Sequence, residues 1–193
     1  LAAVEEELAD ARASVAAGQP EAERFGGVLV RANRFDLKLP LSAPVRGALL
    51  ESLGALRRPI AAAVGEDAEL FELAALISRP GAPPQPAHPD TPFFDDPTIV
   101  TGFVALQDVE AEMGPTFFLR GTHTRSAHAR FNGEPDAKAS LLRTSPRSLG
   151  LLRTGDVTLF DSRLVHGGGE NTARQRVLFY FSFKASAGRD GES

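Results

Sequence analysis

The 193 residues carry 21 Lys and Arg against 25 Asp and Glu, a net charge of −4, with 42% hydrophobic residues and no cysteine. That balance argues against a nucleic-acid-binding domain built on phosphate contacts, and no apolar run approaches the length of a membrane span, so the expected partner is a small molecule. Without cysteine there are no disulfides, thiolate metal sites or cysteine nucleophiles, and any metal must sit on His and carboxylate.

The length suits one domain over 1–193, with helical and strand support at 1–66 and a β core at 67–185. The chain opens at Leu1 with acidic residues where a signal peptide would be basic. It therefore reads as an N-terminally truncated piece of a soluble, intracellular protein, with nothing to fix its oligomeric state.

Val4, Leu8, Ala11 and Val15 recur at the spacing of an amphipathic helix, which Gly18 and Pro20 would stop. The stretch from Phe25 to Leu39 reads as extended, with an interruption near Asn33. Ser42 is placed to cap a second helix ending at Gly65, with a kink or break expected at Pro59. From residue 68 the character changes to β-rich runs, ELFELAALISRP and TIVTGFVALQDV. Further strands are expected at Thr116–Leu119, Val157–Phe160, Leu164–His166 and Val177–Phe183. The polar segment 126–147 contains Pro135 and Pro146 and lacks a period, so it is expected to be a surface loop with room for one short helix, and a candidate lid. Helices first and short strands afterwards point to a β-sandwich or barrel buttressed by N-terminal helices.

Four histidines can each be judged singly. His88 and Asp90 stand two apart in QPAHPDT, and on an extended segment they project to one side, toward one metal. An imidazole and a carboxylate joined by a distant imidazole form the facial triad that leaves coordination positions open for cofactor and oxygen. His166, ahead of Gly167, Gly168 and Gly169, supplies that third ligand. Arg176 opens the apolar run VLFYFSF, and a guanidinium inside a barrel is tolerable if it clamps a carboxylate, such as the far one of 2-oxoglutarate. Arg174, two residues earlier, is the alternative clamp. The expected bystanders are His123, as a structural residue beside the triad, and His128, as a solvated loop residue. HGGG also resembles the oxyanion-hole segment of some esterases, but the chain has no Gly-x-Ser-x-Gly nucleophile elbow.

Taken together, the segment from Gln85 to Phe183, with HPD, ALQDVEAEMGPTFFLRGTHT and LRTGDVTLFDSRLVHGGGENTARQRVLFYFSF, resembles the phytanoyl-CoA dioxygenase-like family. The resemblance implies a double-stranded β-helix (jelly-roll, cupin-like) core, Fe(II) held by His88, Asp90 and His166, and 2-oxoglutarate as cosubstrate. Arg176 would bind that cosubstrate, with Gln85 and Asn171 as further candidates for which a purely structural role is also open. The implied reaction is hydroxylation of a small molecule by O2, with release of succinate and CO2. The rival reading is a non-catalytic or differently metallated cupin-like binding protein.

Overall fold

The computed structural model describes residues 1–186. In helix α1 (Ala2–Ala16) the buried residues are Val4, Leu8 and Ala11, the stripe expected from their spacing. A single turn, α2 (Glu21–Arg24), leads to strand β1 (Arg34–Lys38), shorter than the extended stretch expected and preceded by Asn33 in the left-handed region at φ 53°. Helix α3 (Ala43–Val64) runs unbroken through Pro59. The missing amide leaves only the carbonyl of Ala55 unbonded, and Ala55 is exposed to water, so the break is avoided. Ser42 occupies the N-cap position without a side-chain capping bond, and Gly65 ends the helix at φ 100°.

The strands follow: β2 (Glu69–Ser78), β3 (Ile99–Ala105), β4 (Thr116–Leu119), then β5 (Arg147–Leu149), β6 (Val157–Asp161), β7 (His166–Gly168) and β8 (Arg176–Lys184). They pair antiparallel into a five-stranded sheet, β1-β2-β8-β3-β6, and a three-stranded sheet, β5-β4-β7. Together these sheets are the two faces of the jelly-roll. Alternation along β8 divides the core. Val177, Phe179 and Phe181 pack outward with residues of α1 and α3, including Leu8 and Val64. Leu178 and Tyr180 face the other sheet, among Phe103, Phe118 and Phe160.

Between β4 and β5 the structure corrects the expectation of a loop at 126–147. Two helices lie there, α4 (Arg125–Phe131) and α5 (Pro135–Thr144). Thr124 caps α4 by accepting from the Ala127 amide at 3.3 Å, and Pro135 sits in the first turn of α5, where its missing N–H costs nothing. Their Phe131 and Leu141 close a third apolar cluster over Phe117 and Leu119 on the back of the smaller sheet.

Candidate metal centre and cofactor cavity

The segment after β2 lies alongside β7 as an extra, irregular strand. The Gln85 amide donates to the Gly168 carbonyl at 2.8 Å, and His88 and His166 exchange both backbone hydrogen bonds at 2.9 Å each. Such a pair puts the two imidazoles side by side, with ring centroids 4.7 Å apart. Glycine permits the approach through space rather than through φ. A methyl group on Gly167 would come within 2.9 Å of the Phe117 ring and 3.2 Å of the Pro86 carbonyl. This moves β7 two residues later than the run at 164–166 suggests, because the glycines carry the pairing.

Asp90 is fixed from the next turn, its amide donating to the Ser162 carbonyl at 2.9 Å. Its Oδ1 lies 3.7 Å from His88 Nε2 and 3.6 Å from His166 Nε2, and one ligand atom from each of the three residues lies within 4.8 Å of the others. Each imidazole is oriented by its other nitrogen. His88 Nδ1 donates to the Pro86 carbonyl at 2.9 Å and His166 Nδ1 to the Leu164 carbonyl at 2.8 Å. A carbonyl can only accept, so each Nδ1 carries the proton and each Nε2 presents a lone pair toward Asp90. Burial is the main influence on His166 and lowers its pKa, with Asp90 acting in the opposite sense, so the imidazole stays neutral and able to ligate. Two imidazoles and one carboxylate on one side suit a divalent first-row cation with open positions opposite.

The second charged group lies in a row across three strands. Arg34 on β1 pairs in register with Ser78 on β2, and Ser78 with Arg176 on β8, so all three side chains share one face. All are fully buried. Arg176 donates through Nη1 to the Gly114 carbonyl, while its Nε and Nη2 have no partner among the described residues, nor do Ser78 Oγ and Arg34 Nε. Burial first, then the Arg34 charge, pushes the Arg176 guanidinium down to about 10. Unpaired buried donors of this kind are costly, and their arrangement fits an anion with several oxygens. Arg174, by contrast, lies at the surface and pairs with Glu110 at 3.3 Å.

Gln85 lines the cavity and accepts from the Gly168 amide at 2.9 Å. Asn171 is fully buried, but its amide is engaged with backbone, donating to the carbonyls of Ser78 and Arg174 and accepting from the Ala173 amide. It ties β2 to the loop before β8, and like Arg34, Ser78 and Arg176 it lies behind the residues that line the cavity. His128, expected to be solvated, is 3% exposed, and its Nε2 donates to the Arg163 carbonyl at 2.7 Å. His123 is exposed, and the structural residue of that turn is Thr122, which donates to the Leu119 carbonyl and accepts from the Val165 amide. The sequence reading passed over Arg34, Asp36, Glu72 and Tyr180. The available signal was alternation, since Arg34 and Asp36 are two apart on β1 and share its inner face.

His88, Asp90 and His166 open into a cavity of about 550 Å³. The fold and site therefore define a jelly-roll protein with a two-histidine, one-carboxylate metal-binding group. Residues 28–177 match the phytanoyl-CoA dioxygenase (PhyH) family, and the chain belongs to that family. Among curated proteins, dioxygenase hkm4 of Aspergillus hancockii is 33% identical over 108 residues, a match covering 51% of this chain and 32% of that protein. The chain thus spans about a third of that relative's length. The structure of AviO1 from Streptomyces viridochromogenes Tue57 superposes with a TM-score of 0.66 at 21% identity, covering 96% of this chain and 84% of AviO1. SnoN, a non-haem, α-ketoglutarate-dependent epimerase from nogalamycin biosynthesis, superposes with a TM-score of 0.58 at 25% identity, covering 95% and 74% of the two chains. SnoN has also been seen with Fe3+, α-ketoglutarate and nogalamycin RO bound. Among the described residues, no helix is long and apolar enough to cross a membrane.

Proposed function

We propose that the protein is an Fe(II)- and 2-oxoglutarate-dependent dioxygenase that hydroxylates a small molecule. The observation that carries this reading is the coincidence of two sites in one barrel: a two-imidazole, one-carboxylate triad, and a buried arginine with two nitrogens unpaired among the described residues. His88, Asp90 and His166 would hold the iron, and Arg176 the far carboxylate of 2-oxoglutarate, with Ser78 and Arg34 beside it. Bound iron and 2-oxoglutarate supply the oxidant, one oxygen atom of O2 entering succinate as CO2 leaves and the other entering the hydroxylated product.

The protein's own contribution is positional. The backbone exchange between His88 and His166 sets the two imidazoles, and the Pro86 and Leu164 carbonyls fix their tautomers. Gln85 braces β7 through Gly168. Phe118 and Phe160 stand 6.0 and 5.0 Å from the His166 ring and exclude water from its far side.

Anaerobic titration with Fe(II) and 2-oxoglutarate tests the proposal through the weak visible charge-transfer band of the chelate. The band is expected in the wild-type protein and absent in His88→Ala and His166→Ala proteins. A folded wild-type protein without the band would sink the reading and favour a binding protein or another metal.

A further inference from the structure

Across the cavity from the triad, the wall is built by inward side chains of β1, β2, β8 and β3. A register shift at Leu70/Glu72 in the β2–β8 pairing leaves Phe71 unpaired and turns both Phe71 and Glu72 toward the cavity. Two short polar chains result. Tyr180 Oη donates to Asp36 Oδ1 at 2.9 Å, and Ser182 Oγ donates to Glu72 Oε2 at 2.7 Å while lying 3.0 Å from Thr101 Oγ1. Gly26 seats Asp36, since a methyl group there would overlap its Oδ2.

Asp36, Glu72 and Asp90 line the cavity, and none of the described lining residues is Lys or Arg. The ammonium of Lys184 stands 5.4 Å from the Phe71 ring at the rim, where it pairs with Glu69 at 3.8 Å. With a metal on Asp90, Asp36 and Glu72 remain, neither with an ion-pair partner among the described residues. Burial pushes the Asp36 carboxyl up to about 6, and Glu72 adds to the rise, against opposing contributions from the Tyr180 hydrogen bond and Lys38. Lys38 directs its ammonium to the Ala22 carbonyl instead. At neutral pH Asp36 is therefore largely ionised in a place that disfavours its charge. The rim above it is apolar: Leu29 and Phe71 line the opening at 57% and 51% exposure, with Val28 beside them.

We propose that the substrate is an amine, cationic at neutral pH and carried on an apolar body. Its ammonium sits between Asp36 and Glu72 and its body against Val28, Leu29 and Phe71, within the cavity that His88 and His166 share. This rests on the reading of the triad as an oxygenase centre, which is what makes the cavity the substrate's. A carboxylate substrate would meet two like charges, and a neutral alcohol would leave the half-buried Asp36 carboxylate unbalanced.

Calorimetric binding of a matched set, tryptamine, tryptophol and indole-3-acetate, tests the proposal on protein with Fe(II) and 2-oxoglutarate under anaerobic conditions, and again without metal. Tryptamine is expected to bind at least about tenfold more tightly than tryptophol, with indole-3-acetate weakest. The Asp36→Asn/Glu72→Gln protein should lose that advantage while its affinity for tryptophol stays within about twofold. The tryptophol value shows that the doubly substituted cavity is still formed. Equal binding of amine and alcohol, an advantage that survives the double substitution, or no binding by any of the three overturns the proposal. The charge-transfer titration reports separately on the metal centre. An amine preference without the band removes the oxygenase reading alone, and a band without the preference removes the amine alone.

Discussion

Two groups of charged residues lie inside one barrel and differ in how well they are satisfied. At the arginine row, Arg176 and Ser78 are fully buried with donors unpaired among the described residues, and Arg34 joins them with its Nε likewise unpaired. At the acidic wall, Asp36 and Glu72 each accept a hydrogen bond from an interior hydroxyl, Asp36 half-buried and Glu72 exposed to water. The contrast matches two kinds of ligand. A buried row with open donors suits a dianion that must be gripped before anything else enters. A wall whose carboxylates are already hydrogen-bonded tolerates being empty, as a substrate site must between turnovers. At Arg176 and at Asp36 burial penalises the charge.

The sharpest way to break this comparison is Arg176→Met. Removing the guanidinium should weaken 2-oxoglutarate binding by about 100-fold, the scale of a lost charge-assisted pair, while Fe(II) affinity in the absence of 2-oxoglutarate stays within about twofold. The ligand-free protein should be no less stable in urea, since an unpaired buried charge has been exchanged for a thioether of similar reach. A large loss of stability with 2-oxoglutarate affinity unchanged would mean that Arg176 is structural. Ser78→Ala sharpens the same point on a smaller scale. Losing one unpaired hydroxyl in the row should cost about tenfold in 2-oxoglutarate affinity and nothing measurable in ligand-free stability. An unchanged affinity would remove Ser78 from the carboxylate site.

The arginine row and the acidic wall also differ in how legible they are in the sequence. His88, Asp90, His166 and Arg176 are each marked by a local oddity: histidine beside proline and aspartate, histidine ahead of three glycines, arginine at the head of an apolar run. The wall has no such marks. Tyr180 hides inside VLFYFSF, where every second residue belongs to the core, and Glu72 depends on a register shift that no residue type announces. Arg34 and Asp36 obey simple alternation, but on a strand of five residues that follows an irregular approach. The helices α4 and α5 escaped for another reason. They are short, and their prolines and polar residues look like loop punctuation until the third apolar cluster shows which residues they bury. Long periodic segments such as α1, and dense β runs such as β2 and β3, declare themselves because their pattern repeats often enough to be read without tertiary context.

The smallest effect, and the one that separates stability from function, belongs to Asp36→Asn. The folded carboxyl titrates near 6 against an ordinary value of 3.8. Between those values the native state holds a proton that the unfolded chain has released, so stability must fall as pH rises through that window and stay lower above it. Asparagine keeps an acceptor for the Tyr180 hydroxyl but has no charge to desolvate, so its curve should lack the fall. A shift of this size corresponds to roughly 3 kcal/mol at most, and discounting for the wall's contact with water leaves a gain of about 1 kcal/mol for the variant above neutral pH. Urea unfolding of both proteins at about pH 4 and pH 8 reads this directly, with no difference expected at the acid end and the asparagine protein the more stable at the alkaline end. Were the wild type the more stable at pH 8, Asp36 would be a structural carboxylate with a partner of its own. If the asparagine protein gains stability while losing its preference for the amine, the carboxylate is kept at a cost to the fold because a cationic ligand needs it.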